Sequence, residues 1–192
     1  MKKATSEEKL KELIIYISSK CSEDVKYSKT KLNKILFYSD FFYYLRKRKS
    51  ITGHKYIHLQ YGPVPSNMEA LLEAMKGTDI AVAVLREGLY EKNKIVPLRK
   101  PDLGFFEPDM ISLIDSVIDE VCYDERSLTA RQLSDSSHKT IAWAVTSMGE
   151  EIPYQTAYLK DISGQTATKE EKEKAKYIAR ALAGSYGFPT NT

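Results

Sequence analysis

Between Ser6 and Lys20 the apolar residues Leu10, Leu13, Ile14 and Ile17 fall at the spacing of one helix face, with Glu7 and Glu8 in the first turn, where negative charge complements the helix dipole. This predicts an amphipathic helix. After a polar break at Ser22 to Lys26, a second helix is predicted from about Ser28 to Arg48. Leu32, Ile35, Leu36, Phe42 and Tyr43 form one face of it, but Phe37, Tyr38, Phe41, Tyr44 and Leu45 cover most of the rest. A helix apolar nearly all round is normally enclosed by other elements, so this one belongs at the centre of the fold, or half in the core and half in an interface. Arg46, Lys47, Arg48 and Lys49 close it with charges that suit a helix C-terminus, and Gly53 breaks the pattern.

Lys55 to Gln60 alternates and contains Tyr56, Ile57 and Leu59, which predicts a short strand. The following run, Tyr61 to Ser66, reads YGPVPS. Pro63 and Pro65 fix their own φ and push Gly62 and Val64 toward extended backbone, so a stiff bend is expected, a rigid corner able to present Tyr61. Ser66 or Asn67 can cap a helix through about Lys76, with Gly77 as its stop. Ile80 to Glu91 and Lys94 to Leu98 predict a β-hairpin turning at Glu91 to Asn93, ended by Pro97 and Pro101.

The second half is helical again. Pro108 opens a helix carrying Ile111, Leu113, Ile114, Val117, Ile118 and Val121 to about Tyr123. Short helices are predicted at Thr129 to Asp135, at Thr140 to Met148 and from Pro153 to Lys160. A last helix starts at Thr168, which has capping-box spacing to Glu171, and ends before Gly184. The predicted fold class is mainly α (α+β): one helical domain over 1–186 with a central aromatic-rich helix, a small β-hairpin, a C-terminal helix at 168–184 and a disordered tail at 187–192.

Of 192 residues, 42% are hydrophobic and 29% charged, the profile of an ordinary globular chain. No window approaches 18 consecutive apolar residues and the N-terminus turns polar where a signal peptide has its apolar core, so a cytoplasmic protein without membrane contact is expected. Cys21 and Cys122 stand apart among apolar helical positions, which suits a reduced chain with two buried, inert thiols. The net charge of +3 conceals a polarity: residues 1–50 carry 13 basic and 6 acidic side chains, residues 101–162 carry 4 and 12. Such asymmetry either marks a surface for a charged partner or neutralises itself when the two segments pack together.

Linear catalytic motifs are missing: no phosphate-binding GxxxxGK[ST], no GxGxxG, CxxC, HExxH or GxSxG. His54 and His58 would flank Tyr56 on one strand face about 13 Å apart, too far to share a metal. No cofactor or metal is expected, and no enzyme. Basic and aromatic residues interleave from Tyr38 to Lys49, which could serve nucleic-acid stacking. A buried aromatic helix ending in solvated charges explains the same pattern, and the short C-terminal helices that could form a helix-turn-helix lie in the acidic part.

Three separated segments resemble one family. KLNKILFYSDFF, Lys31 to Phe42, with GHKYIHLQYGPVPS, Gly53 to Ser66, looks like the opening of the Panacea domain. LSDSSHKTIAWAVT, Leu133 to Thr146, with GEEIPY, Gly149 to Tyr154, looks like its second half, and the resemblance covers about residues 8–160. Panacea domains occur in bacterial and phage antitoxins and in SocA-like proteolytic adaptors. The resemblance implies a non-catalytic type II antitoxin that binds a co-encoded protein toxin, small alarmone synthetase-like enzymes being among the toxins paired with the family. Two alternatives stand beside it: an adaptor that delivers a bound toxin to a ClpXP-type protease through the tail at Gly187 to Thr192, and a nucleic-acid-binding regulator using the basic N-terminal quarter. The expected partner-binding residues are Tyr61, Gly62, Pro63, Val64, Pro65, His138, Trp143, Tyr38 and Phe41, with core scaffolding as the competing role for each. The sequence leaves a homodimer open.

Overall fold

A computed structural model describes residues 4–87, 90–122, 127–138 and 140–158. Helix α1 (Ser6–Lys20) opens with a capping box: Thr5 accepts from the Glu8 amide and the Glu8 carboxylate accepts from the Thr5 amide, so two orphan donors are satisfied reciprocally. Helix α2 (Lys29–Lys47) is capped by the Ser28 hydroxyl and ends on Arg48 in the left-handed region. It packs against α1, against α4 (Pro108–Cys122), α5 (Ala130–His138) and strands β2 (Gly62–Pro65) and β4 (Tyr90–Pro97), and against a 3-10 turn at Tyr154–Tyr158. That enclosure is what its nearly unbroken apolar circumference requires. Helix α4 presents Met110, Leu113, Ile114, Val117, Ile118 and Val121 as one buried stripe.

An aromatic cluster joins α2 to the C-terminal part of the described chain. Phe41 packs on Phe37, Tyr56 and Tyr154 at ring-centroid distances of 4.2, 5.7 and 4.8 Å. Beneath it lies the buried carboxylate of Asp40, which accepts from the Ile51 and Thr52 amides at 2.8 and 2.9 Å, from the Thr52 hydroxyl, and from the Tyr56 hydroxyl at 2.9 Å. Four donors offset the desolvation that pushes this carboxyl above its ordinary pKa.

Strand β1 (Tyr56–Leu59) is the centre of an antiparallel sheet ordered β2-β1-β5, with β5 at Glu151–Ile152. The expected bend at Tyr61 to Ser66 is thus a two-residue turn, Gln60 and Tyr61, followed by an edge strand that carries both prolines. His58, opposite Pro63, exchanges its backbone bonds with Glu150 and Gly149 on its other side, so the missing proline donor leaves nothing unpaired. Strand β5 was not predicted, because two residues carry no period. The second sheet pairs β3 (Ile80–Glu87) with β4 in a ladder that runs from Ile80 and Pro97 to Glu87 and Tyr90, so Glu91 to Asn93, expected as the turn, lie within β4. The polar residues that suggested a turn there instead ride on the ribbon, where Arg86 pairs with Glu91 at 2.9 Å.

Helix α3 (Met68–Met75) follows Asn67, whose side chain makes no capping bond. The predicted helix at Thr140 to Met148 is only the short α6 (Ile141–Ala144), and the turn after Pro153 is 3-10. The expected helix at 168–184 and tail at 187–192 lie outside the described residues. No described helix is long and apolar enough to cross a membrane.

Part of the charge polarity of the sequence is consumed within the fold. Lys20 pairs with Asp115, Lys47 with Asp109 and Lys49 with Glu107, at 3.3, 2.9 and 3.1 Å, each joining the basic N-terminal quarter to the acidic α4 region. Deeper, Lys31 pairs with Asp24 while its ammonium also donates to the Ser127 hydroxyl at 2.8 Å. Arg99 bridges Glu12 and Asp79 at 2.7 and 2.6 Å.

Candidate partner-binding surface

The segments singled out in the sequence converge on one buried lysine. Lys34, on α2, is only 1% exposed, and its ammonium donates to the Tyr61 carbonyl. The Ser134 hydroxyl of α5 donates to the same oxygen at 3.0 Å, and Ser137 donates to the Ser134 carbonyl at 2.8 Å. Among the described residues no carboxylate lies within ion-pair distance of Lys34, and burial lowers its pKa to about 7. The turn carrying Tyr61 is thus clamped from α2 and α5 together. Gly62 is obligatory at this point: its φ is +104°, and a Cβ there would lie 2.1 Å from the Lys34 Nζ and 2.5 Å from the Ser137 Oγ.

Beside the clamp, the Trp143 indole is sandwiched between two imidazoles. His58 stacks on one face at 3.4 Å between centroids and 24°, His138 on the other at 4.2 Å and 25°. Thr146 holds His58 through an Nδ1 to Oγ1 contact of 2.9 Å. Burial, and then the nearby Lys34 charge, lower the pKa of His138, whose buried Nε2 finds no hydrogen-bond partner among the described residues. Both faces of Trp143, which like His138 is half-buried, are therefore occupied by the two imidazoles.

Of the expected binding residues, Tyr61 is 66% exposed. Tyr38 is half-buried and stacks on Phe42 at 5.6 Å and 22°. Phe41 faces the aromatic core at 4% exposure, on the side of α2 that also carries Phe37 and Tyr44, which fits the scaffolding role that competes with partner binding. Gly62, Pro63 and Pro65 are buried and Val64 half-buried, so they support Tyr61 and do not themselves form the surface. The sequence reading did not single out Phe42 and Leu45, each 45% exposed, having grouped Phe42 in one face with Leu32, Ile35, Leu36 and Tyr43. The signal was present in the spacing: Lys34, Tyr38, Phe42 and Arg46 recur every fourth residue, with Leu45 beside them, so they form one row about 18 Å long. Arg46, exposed at its end, makes no ion pair among the described residues.

The arrangement is a ridge. His54 is held elsewhere, its Nε2 donating to the Ser66 carbonyl at 2.8 Å, and among the described residues no group of three or more His, Cys, Asp or Glu side chains is placed to hold a metal. Cys21 and Cys122 are both buried and free, as expected, but they are not apart: their sulfurs are 3.1 Å from each other.

Nothing among curated proteins or solved structures matches the chain. The family model described as "Antitoxin SocA-like, Panacea domain" matches residues 32–144, which includes Lys34, the Tyr61 turn and the His58, His138 and Trp143 stack. With more than half of its length inside that match, the chain belongs to the SocA-like antitoxin, Panacea domain family.

Proposed function

We propose that this protein is a type II antitoxin that neutralises a co-encoded protein toxin by direct, non-catalytic contact, and that the ridge of Tyr61, Tyr38, Phe42 and Leu45 is where the toxin binds. Membership of an antitoxin family supports the role, and the exposed ridge is the observation that supports this surface. Aromatic anchors on a preorganised support, rimmed by a free arginine, are the composition of a binding hot spot. Their burial against a partner would remove apolar surface that the folded monomer leaves in water, and the clamp at Lys34 keeps the ordering cost low by holding Tyr61 in place beforehand. A toxin presenting an apolar patch with acidic neighbours fits the ridge and Arg46.

The test is co-expression with the adjacent open reading frame. That neighbour should arrest growth alone and be silenced and co-purified when this protein is present. A neighbour harmless alone, or one that stays toxic and unbound, refutes the antitoxin reading. Loss of rescue in Phe42→Asp, with the fold intact by circular dichroism, locates the surface, and full rescue by a Phe42→Asp, Leu45→Asp pair sinks the ridge while leaving the role standing.

A further inference from the structure

Cys21 is the C-cap of α1 and Cys122 the last residue of α4, 101 positions later in the sequence. Their sulfurs are 3.1 Å apart, against about 2.0 Å in a covalent disulfide. The approach does not depend on the thiols themselves. The Cys21 amide donates to the Ile17 and Ser19 carbonyls, which fixes the helix end. Around it, Lys31 joins Asp24 and Ser127, and Lys26 donates to the Ser127 carbonyl at 2.7 Å, so Ser127, five residues past Cys122, is held against the α1–α2 connection by polar contacts. Two thiols held this close by independent contacts need only small side-chain movement to bond.

We propose that Cys21 and Cys122 form an intramolecular disulfide in the native fold when the protein meets a low-molecular-weight disulfide such as oxidised glutathione. Cys122, at 8% exposure against 1% for Cys21, is the sulfur an oxidant reaches first. Its thiolate attacks one sulfur of the glutathione disulfide, forming a mixed disulfide and releasing one glutathione thiolate. Cys21 then loses its proton to solvent and attacks the Cys122 sulfur, closing the protein disulfide and releasing the second glutathione. Two protein thiols are oxidised and one small disulfide is reduced to two thiols. The neighbouring thiol and burial both push the Cys21 pKa up, so Cys21 waits as a thiol and acts second. The bond would close a loop of about 100 residues and tie α4 to α1, which restricts the unfolded chain most when the loop is long.

The experiment treats the folded full chain with oxidised glutathione and follows intact mass, peptide mapping without reduction, and thermal unfolding. Expected is a loss of two hydrogens, a single peptide joining Cys21 to Cys122, and a melting temperature raised by on the order of 10 °C that dithiothreitol reverses. Cys21→Ser should stop at one glutathione adduct on Cys122. Two stable adducts, a native protein left unmodified while its denatured form reacts, or a disulfide that lowers the melting temperature would each overturn the proposal. Should Cys21→Ser fail to fold, the wild-type mass and peptide map decide alone.

Discussion

Replacing Lys34 by Met separates the charge of the clamp from its shape. The lysine is buried with one carbonyl for its ammonium, and its pKa falls to about 7 in the folded protein from the ordinary 10.5. Between those values the unfolded chain binds more protons than the folded one, so stability rises with pH from about 7 toward 10 and is flat below 7, where both forms are protonated. Integrating over the interval from pH 7 to pH 9 gives roughly 2 kcal/mol, or about 4–8 °C in melting temperature for a chain of this size. The methionine keeps the apolar stem and carries no proton, and the Tyr61 carbonyl retains its Ser134 donor at 3.0 Å, so no acceptor is orphaned. The assay is thermal unfolding by circular dichroism from pH 6 to 9.5 on both proteins. The variant should be the more stable near pH 7 and the two curves should converge toward pH 9. Above pH 10 both should fall, since burial raises the hydroxyl pKa of Tyr27, Tyr56 and Tyr154 and the unfolded chain then ionises first. Curves that stay parallel from pH 6 to 9 would refute the assignment of a desolvated ammonium to Lys34.

Gly62→Ala should lower stability by at least about 2 kcal/mol in denaturant titration, because the new Cβ meets both the Lys34 ammonium and Ser137 at a positive φ. Asp40→Asn turns one of the acceptor oxygens into a donor facing donors from Ile51, Thr52 and Tyr56, and should cost about 2–3 kcal/mol by the same measurement. Phe42→Ala should change the melting temperature little while weakening toxin binding at least tenfold by calorimetry, and equal losses in both would mean that Phe42 is a core residue. Arg46→Glu should slow association with the toxin and flatten its salt dependence, read by stopped-flow, with dissociation nearly unchanged.

Elements with a long period are legible in the sequence: α1, α2 and α4 lie within a residue or two of their predicted bounds, since their apolar faces and caps are written locally. Strand β5 and the short α6 are not, because their stability comes from β1 and from the turns around them. Exposure around α2 was the harder matter. A helix apolar on every side says that most of it is buried but not which row stays in water, and that is settled by α4, α5 and β2 arriving from distant parts of the chain. The charge pattern divides in the same way. The excess of basic residues in the first 50 was visible, yet Lys20 and Lys47 pair with α4, Lys49 with Glu107 just before it, Lys31 with Asp24, and Lys34 with a carbonyl. Among the described residues of α2, the exposed cation without an ion pair is Arg46 at the end of an aromatic row, a far narrower electrostatic signal than the sequence total suggests. A ridge whose described residues leave one cation unpaired is poorly made for tracking a phosphate backbone, whose affinity grows with the number of charges neutralised, and well made for apolar anchoring with a single oriented ion pair. The convergence of Lys34, Gly62, Ser134 and Ser137 on the Tyr61 turn then gives the family resemblance a physical content, because residues about 100 positions apart are needed together to hold the backbone that carries one exposed tyrosine.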